Sequence, residues 1–228
     1  MNARTQRPIP LALTALIALF SAMVALALTG GHDAAAHGSD AHATPAAISK
    51  TEFALRQDMR KLWEDHVTWT RLAVISLTTD SPDTQATVAR LLRNQTDIGN
   101  AIKPFYGAKA GNQLTALLRE HILVAADLIA AAKAGDQEAL VTEQKRWTAN
   151  ADRIAGLLSK ANPRFWKLGA MKTMMHEHLK LTTDEVVARL QGKWAADVRA
   201  FDRVHVQILH MSDMLSDGLV GQFPARFR

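Results

Sequence analysis

The chain of 228 residues contains no cysteine and a single tyrosine. The lack of cysteine excludes disulfides, thiolate metal sites and cysteine nucleophiles, so any chemistry must use histidine, methionine, carboxylates, amides or hydroxyls. The sequence also lacks a strand pattern of useful length, a glycine-rich phosphate loop and a Gly-x-Ser-x-Gly motif. These absences disfavour an enzyme, while a metal-dependent or haem-containing enzyme stays open as the second alternative.

The basic residues are not gathered into one stripe. The formal net charge is +5, but a surface for nucleic acid would need clustered lysine and arginine with interleaved aromatic residues. Nucleic acid is therefore not an expected partner.

Residues 1–36 have the layout of a secretory signal. Arg4 and Arg7 precede an uncharged stretch at 11–28, and small residues follow it. The chain could be cleaved after Ala27 or after Ala36. If it is not cleaved, the stretch approaches the roughly 18–20 residues that span a bilayer and would anchor the protein in the membrane. We predict export to the periplasm or beyond, with cleavage favoured over anchoring.

Apolar residues recur at intervals of three and four from residue 50 onward, which indicates helices. Breaks in this pattern predict six helices, at about 50–79, 83–103, 110–134, 137–160, 166–190 and 194–220. The connections are short, so successive helices should run antiparallel. The predicted fold is all-α, an antiparallel helical bundle of about six helices forming three helical hairpins. This single domain at 50–228 follows a flexible leader rich in histidine and alanine at 37–49.

Polar residues interrupt the apolar faces of these helices at nearly constant intervals of 27 to 29 residues. In an antiparallel array of equal helices, a constant interval places residues at one height. The sequence therefore predicts a polar layer across the bundle. Its members are His66, Asn94, His121, Asn150, His178 and His205.

Imidazole is the commonest side-chain ligand for zinc, copper and iron, and rings from different helices can converge on one ion. We therefore predict a transition-metal site, with neighbouring carboxylates and amides holding the rings in place. The predicted ligands are His66, His121, His178, His205 and Asp202. The predicted orienting residues are Glu64, Asp65, Asn94, Glu120, Asn150 and Glu177. The alternative is a structural or interaction module, in which the same layer is hydrogen-bonded internally, fixes helix pairing and binds no ligand.

A second group of histidines and methionines lies on the last two predicted helices. Thioether and imidazole donors together suit copper in an oxidising compartment, although methionine at helical spacing also serves as ordinary core filling. Haem is the less favoured cofactor, since the chain has no cysteine to attach it covalently. The group comprises Met171, Met174, Met175, His176, His210, Met211 and Met214.

Three segments carry a resemblance to a known family: 62–71, which reads LWEDHVTWTR, 91–107, which contains LLRNQ and IKPFYG, and 174–179, MMHEHL. Over about 55–224 the chain resembles a family of small secreted bacterial helical proteins with no established activity. Some members have been labelled glycosyltransferases. The chain has neither the nucleotide-binding βαβ pattern nor the Asp-x-Asp pair that such an activity would need. The resemblance implies a helical body and emphasises His66, Asn94 and His178.

Overall fold

The computed structural model describes residues 48–228. The predicted signal at 1–36 and nearly all of the predicted leader lie outside the described residues. Five helices follow one another: α1 Lys50–Thr79, α2 Thr84–Ala134, α3 Gln137–Ala161, α4 Leu168–Leu190 and α5 Trp194–Gln222. A short 3₁₀ turn, Pro224–Phe227, ends the chain. Residues 48–228 contain no strand, so the all-helical prediction is confirmed for them.

Local sequence signals define several helix ends. The Ser49 side chain accepts a hydrogen bond from the Glu52 backbone N–H and so begins α1 at the predicted residue. Asp136 does the same for Ala139 at the start of α3, directly after Gly135 ends α2 in the left-handed region. None of the helices at 48–228 combines the length and apolar character needed to cross a membrane.

The helix count differs from the prediction, because the segments predicted at 83–103 and 110–134 form one continuous element, α2. Only Gly107 departs from helical geometry, with φ 81° and ψ 168°. Glycine adopts such a positive φ without steric cost, so the chain can turn within one residue instead of a loop. Beyond this turn the two parts of α2 contact each other, as shown by Arg119 Nη1 donating to the Leu92 carbonyl at 3.1 Å.

Two glycines allow the parts of α2 before and after Gly107 to approach closely. A Cβ placed on Gly99 would lie 2.6 Å from the Gly111 carbonyl oxygen, and one placed on Gly111 would lie 2.5 Å from the Gly99 carbonyl oxygen. Real Cβ atoms do not come this near to backbone oxygen. This crossing therefore requires glycine on both sides.

The helices form a bundle around one main hydrophobic core. Each helix contacts the next along the chain, and α5 returns to contact α1. Trp166, Met171, Ile208 and Leu219 are among the most deeply buried side chains of this core. The polar layer crosses the middle of this arrangement.

Candidate functional site

Three of the four predicted histidine ligands come together inside the bundle. His66 on α1, His121 on the second part of α2 and His178 on α4 are all buried, with 3–5% of each exposed. The ring centres of His66 and His178 are 6.0 Å apart, and those of His121 and His178 are 6.4 Å apart. The near-constant sequence interval therefore did identify residues that share one level.

An amide on the following helix holds the ring of His121. Its Nδ1 lies 2.9 Å from Oδ1 of Asn150, while Nδ2 of Asn150 donates to the Leu117 carbonyl at 3.0 Å. Because the amide nitrogen is the donor to that carbonyl, Oδ1 must be the acceptor and Nδ1 of His121 must carry the proton. The other ring nitrogen, Nε2, then has a free lone pair.

The same arrangement recurs at His178. Its Nδ1 lies 3.1 Å from Oε1 of Gln207, and Nε2 of Gln207 donates to the Met174 carbonyl at 3.1 Å. In both cases the amide follows the histidine by 29 residues, and the carbonyl belongs to the residue four before the histidine. His178 therefore also presents an unprotonated Nε2.

In the first hairpin two adjacent amides share these contacts. Asn94 Nδ2 donates to the Leu62 carbonyl at 3.0 Å, and Nε2 of Gln95 lies 3.2 Å from Nδ1 of His66. Both amide side chains are fully buried. All three rings thus meet a buried amide at Nδ1, but the atom that faces His66 is the amide nitrogen of Gln95, which donates. Nδ1 of His66 is therefore the acceptor and its Nε2 carries the proton, the reverse of His121 and His178.

The surroundings keep these histidines uncharged. Burial, followed by the closeness of the other rings, lowers the pKa of His66 and of His121 to about 3. Burial lowers the pKa of His178 to about 4, opposed by its hydrogen bond with Gln207. Loss of hydration disfavours the charged form of a base. At neutral pH the three imidazoles are therefore neutral, which is the state in which they bind metals.

The three rings line a cavity of about 30 Å³ whose other walls are almost entirely apolar. Trp63, Met175 and Met211 are among the side chains that complete it. A second cavity, of about 50 Å³, includes Thr70 and Thr182, each one helical turn beyond a histidine of the layer. The rings therefore form a polar level between two voids in the core.

The present ring positions are wider than metal coordination requires. Bonds of about 2.0–2.1 Å to Nε2 would place the centres of rings around one ion about 5–5.5 Å apart. The observed separations are 6.0 and 6.4 Å. Accordingly, residues 48–228 contain no group of three or more His, Cys, Asp or Glu side chains placed to hold a metal ion. Coordination would need the rings to move inward by about 0.5–1 Å.

His205 and Asp202, the remaining predicted ligands, are not part of this cluster. His205 is partly exposed and its Nε2 lies 2.8 Å from Oε2 of Glu64, while Asp202 is exposed. Gln207 occupies the place that had been predicted for His205. Residues two apart on a helix point about 200° apart, so His205 and Gln207 lie on different faces of α5.

Among the predicted orienting residues, the amides contact the histidine layer and the carboxylates do not. Asn94 and Asn150 do hold the layer, as described above. The four carboxylates lie outside the layer: Glu64 pairs with His205, Asp65 pairs with Arg90 at 3.0 Å, Glu120 pairs with Arg153, and Glu177 is exposed. Sequence reasoning missed Gln95 and Gln207. The signal that would have found both is the interval of 29 residues that separates His121 from Asn150.

The predicted methionine and histidine group is dispersed over core and surface. Met171, Met175 and Met211 are buried in the main core. His176 is exposed, with Nε2 2.9 Å from Oδ1 of Asp152. An open surface groove brings part of the group together, and its walls include Met174, His210, Met211 and Met214.

Comparison of the chain with models of known protein families, with curated proteins and with solved structures finds no match. The resemblance to secreted bacterial helical proteins therefore stays a prediction.

Proposed function

We propose that the protein is an exported helical bundle that binds one transition-metal ion among His66, His121 and His178, with Nε2 of His121 and of His178 as the ligands whose lone pairs are free. The observation that carries this proposal is the repeated hydrogen bond between a buried amide and Nδ1. A ring held at Nδ1 by an oxygen acceptor presents its other nitrogen as a ligand, which is the usual support of metal-binding histidine. His121 and His178 show this geometry directly.

The electrostatics favour the same function. The low pKa values of the three rings mean that a cation would not compete with protons at neutral pH. The three rings already line one cavity. Copper, zinc and iron all accept imidazole nitrogen, and the thioethers of Met175 and Met211 at the same cavity favour copper among them.

The proposal includes export to the periplasm, and its support is the sequence of residues 1–36. Arg4 and Arg7 followed by an uncharged apolar stretch support a secretory signal. In an oxidising compartment a chain without cysteine has histidine, methionine and oxygen as its metal donors.

The second candidate is a structural layer without a ligand. The observation that favours it is the bond from each amide nitrogen to a backbone carbonyl of the preceding helix, as between Asn150 and Leu117. These bonds join the two helices of each hairpin whether or not a metal is present. Under this alternative the free Nε2 atoms have no role in binding.

The deciding experiment measures metal content and affinity in protein purified from the periplasm without an affinity tag. We expect one ion per chain and a rise in melting temperature on adding copper, zinc or iron, because a ligand of the folded state stabilises it. The key variant is His121→Asn. The amide of the new asparagine can still donate to Oδ1 of Asn150. The substitution removes the imidazole Nε2 and its lone pair.

We expect His121→Asn to weaken binding by about 100-fold or more, beyond the roughly 10–100-fold effect of losing an orienting partner. His205→Asn is the matched control, since His205 lies outside the cluster, and it should bind as the wild type does. Protein that contains no metal and whose melting temperature ignores all three added metals would favour the structural layer instead.

A further inference from the structure

One end of the bundle gathers exposed basic side chains. The turn within α2, the loop between α3 and α4 and the residues after α5 meet there. Tyr106 Oη donates to Gln222 Oε1 at 2.6 Å, and Gln222 Nε2 donates to the Ala161 carbonyl at 3.2 Å. Arg226 Nη1 donates to the Pro104 carbonyl at 2.9 Å. The exposed cations on and beside these segments, which we call the basic end, are Lys109, Lys160, Arg164, Lys167, Arg226 and Arg228.

The charge of the basic end is not balanced by nearby acidic residues. The segments 98–113, 157–170 and 218–228 contain no aspartate or glutamate, and their basic residues exceed the net charge of +5 of the whole chain. The rest of the chain therefore has more acidic than basic residues. None of the six cations forms an ion pair with another described residue, whereas Arg60 on α1 pairs with Asp213 at 2.6 Å. Such an uneven distribution gives the basic end a positive potential.

Apolar side chains are exposed among these cations. Phe165 is 39% exposed and Leu168 is 47% exposed, and each directly follows a basic residue, Arg164 or Lys167. Phenylalanine and leucine combined with lysine and arginine are typical of segments that lie at a membrane interface. There the apolar groups enter the headgroup region and the cations meet anionic lipids. The loop between α3 and α4 offers both kinds of contact.

A surface groove of about 580 Å³ opens beside the basic end. Its walls include Lys109, Arg153 and Lys160 and contain no acidic side chain. Lysine and arginine form short, charge-assisted hydrogen bonds with phosphate oxygens. The groove therefore suits the phosphate of a lipid headgroup.

The chain also enters the bundle at this end. α1 runs antiparallel to the first part of α2, as shown by the contacts of Ser76 with Asp83 and of the Leu62 carbonyl with Asn94. The first part of α2 ends at the Gly107 turn, so α1 begins beside that turn, and α1 also contacts the terminal 3₁₀ turn. The apolar stretch predicted as a signal is thus attached to the basic end.

We propose that the basic end docks on an anionic phospholipid membrane. The six cations meet the lipid phosphates, Phe165 and Leu168 enter the headgroup region, and the groove receives a headgroup. Charge complementarity, the apolar side chains between the cations and the point where the chain enters the bundle all favour a membrane as the partner. This inference does not depend on metal binding.

The first experiment measures co-sedimentation of the protein purified from the periplasm with two kinds of vesicle. One contains phosphatidylglycerol and phosphatidylcholine in equal parts, and the other contains phosphatidylcholine alone. We expect binding to the anionic vesicles to be about tenfold or more tighter than to the neutral ones. That binding should weaken as salt is added, because ions screen the attraction between exposed charges.

Two triple variants test whether the basic end carries the binding. Each cation near an anionic membrane strengthens binding by roughly fivefold, so removing three from the loop region should weaken binding by about 100-fold. The control removes three exposed cations away from the basic end and should bind as the wild type does. Both variants should keep the wild-type melting temperature, since the changed side chains are exposed. The test variant is Lys160→Gln/Arg164→Gln/Lys167→Gln, and the control is Lys145→Gln/Lys193→Gln/Arg199→Gln.

Three outcomes of these measurements would overturn the inference. Equal affinity for the two kinds of vesicle would show that lipid charge is not recognised. Equal loss of affinity in the two triple variants would show that net charge acts without a defined docking surface. Binding to soluble poly-glutamate as tight as to the anionic vesicles would indicate an acidic protein as the partner.

The second experiment locates the contact without changing any charge. Because the chain has no cysteine, a polarity-sensitive fluorophore can be attached at one position, in Leu168→Cys or in Val198→Cys. Val198 is 53% exposed and lies near the start of α5, at the opposite end of the bundle. With anionic vesicles the emission of the label at 168 should shift to the blue, and that of the label at 198 should stay unchanged. An unchanged label at 168 on protein that sediments with the vesicles would rule out docking through the basic end.

Discussion

The buried histidine layer should make the stability of the bundle fall steeply in mild acid. An unfolded histidine has a pKa of about 6.5, whereas burial holds the folded pKa of His66 and His121 at about 3 and that of His178 at about 4. Below pH 6.5 the unfolded chain takes up protons that the folded chain refuses. The stabilisation is thus complete above the unfolded pKa and is lost as the pH falls from there toward the folded values.

The magnitude follows from the number of rings. Near pH 5 the unfolded chain binds nearly one proton more per ring than the folded chain does. Three rings therefore give a slope of about 4 kcal/mol of unfolding free energy per pH unit. Domains are typically stable by only about 5–15 kcal/mol. We therefore expect metal-free protein that is folded at pH 7 to lose most of its stability, or unfold, between pH 6 and pH 4.5.

The assay is urea denaturation of metal-free protein at pH 5.0, 5.5, 6.0, 6.5 and 7.0 at constant ionic strength. His121→Asn should lower the number of protons taken up on unfolding by about one, and with it the slope of unfolding free energy against pH. The difference from the wild type isolates the contribution of one ring. The subtraction is needed because burial raises the pKa of Glu185, whose proton uptake has the opposite effect and is common to both proteins. A wild-type stability that is flat from pH 7 to pH 5, or a variant with the wild-type slope, would refute this reasoning.

Two further predictions concern packing and are measured by chemical denaturation. Asn150→Ala should destabilise the protein by about 2–4 kcal/mol, since it leaves the buried Nδ1–H of His121 without an acceptor and removes the bond from Asn150 to the Leu117 carbonyl; the exposed Asn100→Ala should change stability by less than about 0.5 kcal/mol. A small effect of Asn150→Ala would mean that water replaces the amide. Gly99→Ala should cost about 1–3 kcal/mol or more because its Cβ meets the Gly111 backbone. Gly156→Ala faces open space and should stabilise α3 by up to about 1 kcal/mol; equal effects at the two glycines would contradict the close crossing.

The helices were predictable because apolar spacing and capping residues act locally. The start of α1 at Lys50 follows from Ser49, and the start of α3 follows from Asp136. The turn at Gly107 was not predictable in the same way. Gly107 and Gly111 suggest a loop, but only the close crossing of Gly99 and Gly111 shows why the chain can turn there without one.

The histidine layer was predictable in its level but not in all its members. A regular interval locates residues at one height, which was enough for His66, His121 and His178. It does not distinguish which face of the last helix turns inward, and a histidine seemed a better candidate than a glutamine two residues later. Gln207 is inside and His205 outside because Gln207 reaches both His178 and the Met174 carbonyl.

The amide contacts also determine when the site can exist during synthesis and folding. Each ring is oriented by an amide about 29 residues away, within its own pair of helices, and contacts at such short sequence separation form early. His66 and His178, by contrast, meet only when the first and last pairs dock, more than 100 residues apart along the chain. A partly folded chain therefore offers metals single oriented imidazoles and no chelating site. Under the proposed function, ion capture is then the last step of maturation, coupled to closure of the whole bundle.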